Sequence, residues 1–138
     1  MQLVVTEVSQ IQPYIFASNR MRENVGASFL VMQATEGWAL EIVSKVSPRN
    51  NINISPAGDR ILDGRKCIED PAAALDAEVL YAGGGNFVAL FRNENYAKEF
   101  IQKLSRKILT YAPDLQLTAV QQSFQWTESL YLKLMVAL

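Results

Sequence analysis

The sequence predicts an α+β fold: one antiparallel sheet with helices packed on one face. Three observations predict it. A near-continuous apolar and β-branched run, LVVTEV, occupies Leu3 to Val8, as expected for a central strand covered on both faces. The stretch EVLYAGGGNFVALF, Glu78 to Phe91, reads as strand, sharp glycine turn and strand, which is a hairpin pattern. Segments with apolar residues at helical spacing separate these strands from each other and from a last alternating run, Leu115 to Gln122.

Taken in order, a Ser-Gln-Ile-Gln-Pro stretch turns the chain after the first strand. Pro13 suits the first position of a helix, where its missing N–H has no partner to lose. Tyr14, Ile15, Phe16, Met21, Val25, Phe29, Leu30, Met32, Trp38, Leu40, Ile42 and Val43 then predict one or two long helices. Their joint is expected at Asn24 to Ser28, because Gly26 weakens a helix and Ser28 can cap the next one. Ser47 to Asn51 ends the block. Ile52-Asn53-Ile54 is a short strand, and Arg60-Ile61-Leu62 is a second within an otherwise loop-like Ser55 to Asp70. Pro71 to Asp76 reads as weakly helical or irregular. Strands at Glu78 to Tyr81 and Phe87 to Phe91 flank the glycine turn. Asn93-Glu94-Asn95 opens a helix ending near Ala112, where Pro113-Asp114 breaks it. Thr127 caps a last helical segment, Glu128 to Leu138. The order β-α(α)-β-β-α-β, a hairpin and two crossovers on one sheet, is the ferredoxin-like split arrangement.

The 138 residues fit a single domain, 1–138, able to bury one core. The apolar ending LKLMVAL fits either a docked helix or the N-terminal part of a longer protein. With 13 basic and 14 acidic residues the net charge is −1, which argues against a broad nucleic-acid surface. No stretch approaches the roughly 18 apolar residues of a membrane span, and a cytoplasmic location is the expectation. The single cysteine, Cys67, allows no internal disulfide; Arg65 and Lys66 are the only support for a reactive thiol there. The chain has no histidine, which removes Ser–His and Cys–His nucleophile pairs and the common zinc sites. Chemistry here must use carboxylates, Lys, Tyr or a hard metal ion.

The candidate residues gather at two places. Gly83, Gly84, Gly85 and Asn86 form the hairpin turn. Their backbone can approach a phosphate or a partner closely, and equally a turn that needs positive φ takes Gly and Asn for that reason alone. Gly26-Ala27-Ser28 is either a helix joint or a run of small residues that admits a ring, with one hydroxyl for specificity. Arg20, Arg22, Lys103, Arg106 and Lys107 read as solvated, and Arg60, Arg65 and Lys66 form the most basic loop. Tyr14 and Phe16 read as core or interface, and Phe124 and Trp126 can pack on the terminal segment or stack on a base.

With those residues in view, TEVSQIQPYIFASNRMRENVGASFLV resembles the opening of the palm domains in the large subunit of type III CRISPR effector complexes. There a strand ending in an acidic residue runs through an Ile-Gln turn into an aromatic-rich helix and a Gly-Ala-Ser-type joint. YAGGGNFVALF is similar to that family's hairpin, whose catalytic form carries Gly-Gly-Asp-Asp. The element order agrees with the same palm, which GGDEF-type diguanylate cyclases and nucleotidyl cyclases share. In active members, aspartates on the first strand and on the turn hold two divalent ions that align a triphosphate with its attacking hydroxyl. Here Glu7 falls at the first-strand position, while Gly85 and Asn86 fall where the paired aspartates would stand. The chain is therefore similar to the degenerate partner palm of that subunit, whose turn often reads Gly-Gly-Gly and a non-acidic residue.

The resemblance implies a palm that binds a purine nucleotide of the ATP type, or lines a nucleotide site shared with a second palm or a second copy. The setting it implies is prokaryotic antiviral signalling, without catalysis by this chain alone. Gly26, Ala27, Ser28, Gly83, Gly84, Gly85 and Asn86 would contact the nucleotide. Glu7, with the Asn86 amide, would hold Mg²⁺ weakly once a nucleotide is bound; Asp59 and Asp63 are the only other carboxylates in view as ligands. Two alternatives stand beside it: an active metal-dependent synthase of cyclic nucleotides from ATP, and an interaction module with no nucleotide role.

Overall fold

The computed structural model describes residues 1–123 and 125; the expected terminal helix with Thr127, and Phe124 and Trp126, lie outside them. The strands are β1 (Gln2–Ser9), β2 (Ile52–Ile54), β3 (Arg60–Leu62), β4 (Ala77–Gly83), β5 (Asn86–Phe91) and β6 (Gln116–Ser123). The helices are α1 (Ile11–Ile15), α2 (Met21–Met32), α3 (Trp38–Val46) and α4 (Glu94–Tyr111), with a π-helical turn, Gln33–Gly37, between α2 and α3. The main sheet is four-stranded in the order β4-β5-β1-β6, and all its pairs are antiparallel. That is the ferredoxin-like order expected from the sequence. β2 and β3 pair as a separate two-stranded hairpin.

Alternation along β1 sends Val4 and Val8 to one core and Leu3 and Val5 to another. The larger core holds the buried faces of α3 and α4 with Val79, Phe87 and Phe91 of the hairpin strands. Phe100 of α4 stacks on Phe87 at 4.9 Å between ring centroids and lies 5.4 Å from Phe91. Aromatic pairs of this kind add roughly 0.5–1.5 kcal/mol to their area burial, so the strand that leaves the turn is tied firmly to α4. On the opposite face Leu3, Val5 and Leu90 pack beneath Ile68 and Leu75 of the irregular segment 63–76. Arg92 fastens that segment by donating to the carbonyls of Leu75 (2.7 Å) and Ile68 (3.0 Å). The Glu78 carboxylate accepts the Ile68 N–H at 2.8 Å. This covering stops short of the end of the sheet that carries the glycine turn.

α4 begins as expected: the Asn93 side chain accepts the Tyr96 N–H at 3.0 Å, an N-cap. The helical block before β2 differs from expectation. α2 runs unbroken through Gly26, so Asn24 to Ser28 is not a joint and Ser28 sits mid-helix rather than at a cap. A glycine inside a helix costs only about 1 kcal/mol relative to alanine, less than the rest of the helix recovers. The break lies instead between α1 and α2, where the Ser18 hydroxyl accepts the Arg20 N–H at 3.1 Å. Such a bond offers the backbone an alternative to helix. Pro13 falls at the third residue of α1, still within the first turn, where no N–H is needed. Among the described residues no helix is long and apolar enough to cross a membrane.

Candidate functional site

The turn between β4 and β5 has only Gly84 and Gly85 at its centre, with Gly83 paired to Asn86. φ is +146° at Gly83, +61° at Gly84 and +89° at Gly85, and positive φ at both central residues is what a tight type I′ hairpin requires. At two of these positions a side chain would also crowd the tip of a neighbouring one. A Cβ on Gly83 would stand 2.9 Å from Glu36 Oε1, and a Cβ on Gly85 would run into Ile11 Cδ1. The Gly85 carbonyl accepts the Val8 N–H at 2.8 Å, which ties the turn to the end of β1. Gly83 and Gly85 are buried and only Gly84 is exposed. Positive φ thus accounts for the glycine run, and at Gly83 and Gly85 the close neighbours are movable side-chain tips.

The register brings Glu7 and Asn86 together. They are direct Cα partners across β1 and β5, and Thr118 of β6 faces Glu7 from the other side. Cross-strand partners leave a sheet on the same face, so the three exposed residues form a row beyond the covered apolar patch. Tyr81 belongs to the next row, and its hydroxyl lies 3.5 Å from where a Cβ on Gly84 would be. This is the place the resemblance assigns to metal. Its donors are one carboxylate and one amide, and among the described residues no three His, Cys, Asp or Glu side chains converge anywhere. Two divalent ions demand more anionic oxygen than that, so the residues present do not fit a two-metal centre.

The opposite side of the turn carries a cleft of about 260 Å³. Ser28, Thr35, Glu36, Gly84 and Gly85 line it, with apolar walls from Ile11, Ile15, Val31 and Met32. Ser28, Gly84 and Gly85, chosen separately in the sequence, therefore meet in one place, whereas Gly83 and Asn86 do not line it. Gly26 and Ala27 do not join them; they line a second cleft with Tyr14, Ser18 and Leu30 on the α1 side of α2. Glu36 was not among the sequence candidates, and nothing in the sequence marks it. It lies in the π-helical turn, half-buried, between buried Thr35 and Gly37.

The remaining candidates are accounted for locally. Asp63 is engaged by Arg65 (3.0 Å) and by the Asn53 amide (3.3 Å), and the Arg65 hydrogen bonds hold its carboxyl far below the usual range. Asp59 lines a separate cleft of about 340 Å³ with Glu36, Leu40 and Arg60. At Cys67, burial first and then Glu78, Glu69 and Asp70 push the thiol up, against the reactive role that Arg65 and Lys66 suggested. Tyr14 packs on the core, whereas Phe16 is 66% exposed.

No family model matches the sequence, and no curated protein matches it. Solved structures do match its fold. A Csm1–Csm4 cassette in complex with one ATP superposes with a TM-score of 0.66 at 15% identity, covering 99% of this chain and 18% of that one. The cassette in complex with cA4 gives 0.67 at 15% identity and the same coverage. Csm1 in T. onnurineus gives 0.65 at 14% identity, again over 99% of this chain and 18% of the other. At this identity the likeness establishes the fold, which is a palm. Csm1 is among the proteins that carry a palm matching it. The chain spans 18% of the length of those Csm1 chains.

Proposed function

We propose that the chain is a degenerate palm that binds a purine nucleotide, alone or at a site shared with a second palm or a second copy, and does not catalyse nucleotidyl transfer by itself. The observation that carries this reading is the pairing of Glu7 with Asn86, one carboxylate where a metal pair needs several, beside an intact cleft lined by Ser28, Gly84 and Gly85. Apolar walls with a few convergent polar groups are the usual make-up of a small-molecule site. The cleft lies somewhat below the roughly 300–1,000 Å³ of sites for drug-sized ligands, so it suits a base, with sugar and phosphates over the exposed turn. Structural neighbours in complex with ATP, cA3 and cA4 support the ligand class, and the setting in antiviral nucleotide signalling follows from the resemblance to Csm1.

Titrating the 138-residue chain with purine nucleotides while following thermal melting tests the binding. A ligand at about 100 times its Kd adds roughly 2.7 kcal/mol of stability. Incubation with ATP and Mg²⁺ or Mn²⁺ tests the chemistry, and no cyclic product is expected. A cyclic product that disappears in Glu7→Gln overturns this reading in favour of a working synthase.

One observation favours a second reading. Met21, Val25, Phe29 and Met32, at helical spacing along α2, form an apolar stripe that is 43–80% exposed. An interaction module without a nucleotide role would use such a surface, and so would a palm that shares its site. Absence of any thermal shift with nucleotides, together with concentration-dependent self-association, selects the interaction module.

A further inference from the structure

We infer that Glu36 makes the cleft at the glycine turn selective for guanine over adenine. The inference rests on the nucleotide reading above and sets the base apart from the adenine ligands of the structural neighbours.

The π-helical turn Gln33–Gly37 brings the Glu36 side chain to the β4–β5 turn, with Oε1 2.9 Å from the position a Cβ on Gly83 would take. Gly83 lacks that atom, and the carboxylate uses the space. Glu36 is half-buried, yet among the described residues it has neither a hydrogen-bond partner nor an ion-pair partner. A partly desolvated carboxylate without a donor is an unfavourable arrangement, and a ligand that brings donors relieves it. The lining of this cleft contains no Lys or Arg, and Arg60 borders Glu36 only from the separate cleft on its other side, so a phosphate placed here would meet an acceptor-only group with no cation of its own. The chemistry of the cleft calls for a flat, largely apolar ring with N–H donors on its edge.

Purine bases differ on that edge. Guanine presents N1–H and the N2 amino group side by side, and a carboxylate accepts both at once. Adenine presents its N6 amino group beside N1, which is an acceptor and opposes a carboxylate oxygen. A good bidentate contact discriminates between bases by on the order of ten- to a hundredfold. The Ser28 hydroxyl lines the same cleft and can donate to guanine O6. Thr35 cannot share that task, because its hydroxyl donates to the Val31 carbonyl at 3.1 Å and is buried.

The test measures affinities of the intact chain for GTP, ITP and ATP, without divalent metal, by calorimetry. Expected is the order GTP, then ITP, then ATP, with ITP intermediate because it keeps N1–H and lacks the amino group. Glu36→Gln replaces one acceptor with a donor, matches the adenine edge, and should abolish or invert the preference for GTP. Glu36→Ala, with a melting curve to establish that it folds, should weaken GTP and leave ATP largely unchanged. Equal or tighter binding of ATP by the wild type, or a GTP-to-ATP ratio unmoved in both variants, overturns the role of Glu36 while leaving the nucleotide reading intact. Binding of none of the three nucleotides overturns both.

Discussion

Ile11 Cδ1 fills the space that a side chain on Gly85 would need, so the first helix after β1 is packed directly onto the backbone of the hairpin turn. Gly85 also has φ +89°, a conformation that L residues adopt at a penalty of roughly 1–2 kcal/mol. Gly85→Ala should therefore lose about 2 kcal/mol of stability, part from φ and part from displacing Ile11. The Ile11 terminal methyl can swing away, so the steric part is separable. In an Ile11→Ala background the same glycine change should cost only the φ part, about 1 kcal/mol. Urea denaturation of the four proteins in that cycle checks it, and strict additivity would show that Ile11 does not restrict residue 85.

Asn51 protects an edge of the sheet. Its amide nitrogen donates to the Val79 carbonyl at 2.9 Å and its oxygen accepts the Val79 N–H at 2.8 Å, so the side chain stands in for a missing neighbouring strand of β4. It is 2% exposed, and removing it leaves both Val79 groups without partners and shielded from water. Asn51→Ala should destabilise by about 2–4 kcal/mol on the usual penalty of roughly 1–3 kcal/mol per orphaned buried group. The variant should also self-associate through the uncovered edge. Chemical denaturation and light scattering are the readouts; a loss below 1 kcal/mol would mean that water reaches Val79.

What could be read in the sequence follows from how local the cause is. The hairpin was legible because Gly84-Gly85 between apolar runs dictates a two-residue turn by backbone sterics alone. Asn93 announced α4 in the same way, by a cap whose partner lies three residues on. The joint between the first helices lies elsewhere than the sequence suggests, because Gly26 and Ser28 are weak signals that tertiary packing overrides. Glu36 was invisible for a different reason. Its approach to Gly83 depends on a π-helical turn that nothing in QATEG marks, and on β4 being threaded beneath it. Asn51 belongs to the stretch Ser47 to Asn51 that ends the helical block, and its role stays hidden because its partner Val79 is 28 positions away. The opposition of Glu7 and Asn86 came from the resemblance, because strand register is a non-local property.

Acid should weaken the fold partly through Glu41. The hydrogen bond from Lys45 at 2.7 Å lowers its carboxyl below the ordinary value of 4.5, with burial opposing and Lys107 adding to the lowering. A carboxylate whose folded pKa is depressed binds fewer protons folded than unfolded. Its contribution is therefore fully present above the unfolded value and is lost as pH falls through the folded one. Glu41→Gln should lower the melting temperature slightly at neutral pH, and the gap from wild type should close as pH drops below 4.5. Melting curves across that window check it. A gap that stays constant to the acid end would mean that packing of the side chain, rather than its charge, carries the effect.

Restoring a carboxylate on the turn tests whether the Glu7–Asn86 row keeps the geometry of a cation site. Asn86→Asp places two acidic side chains directly opposite each other on β1 and β5. Like charges in that relation are destabilising, by roughly 0.2–1 kcal/mol, so the variant should melt below wild type in EDTA. A divalent ion that binds both carboxylates favours the folded state, and at about 100 times its Kd it would add roughly 2.7 kcal/mol. Manganese should therefore raise the melting temperature of Asn86→Asp and leave wild type nearly unchanged. Adding Glu7→Gln should remove both the penalty in EDTA and the response to manganese. If the variant melts like wild type with and without the ion, residue 86 is a turn residue without kinship to a metal position, and the glycine corner owes its sequence to positive φ and local packing.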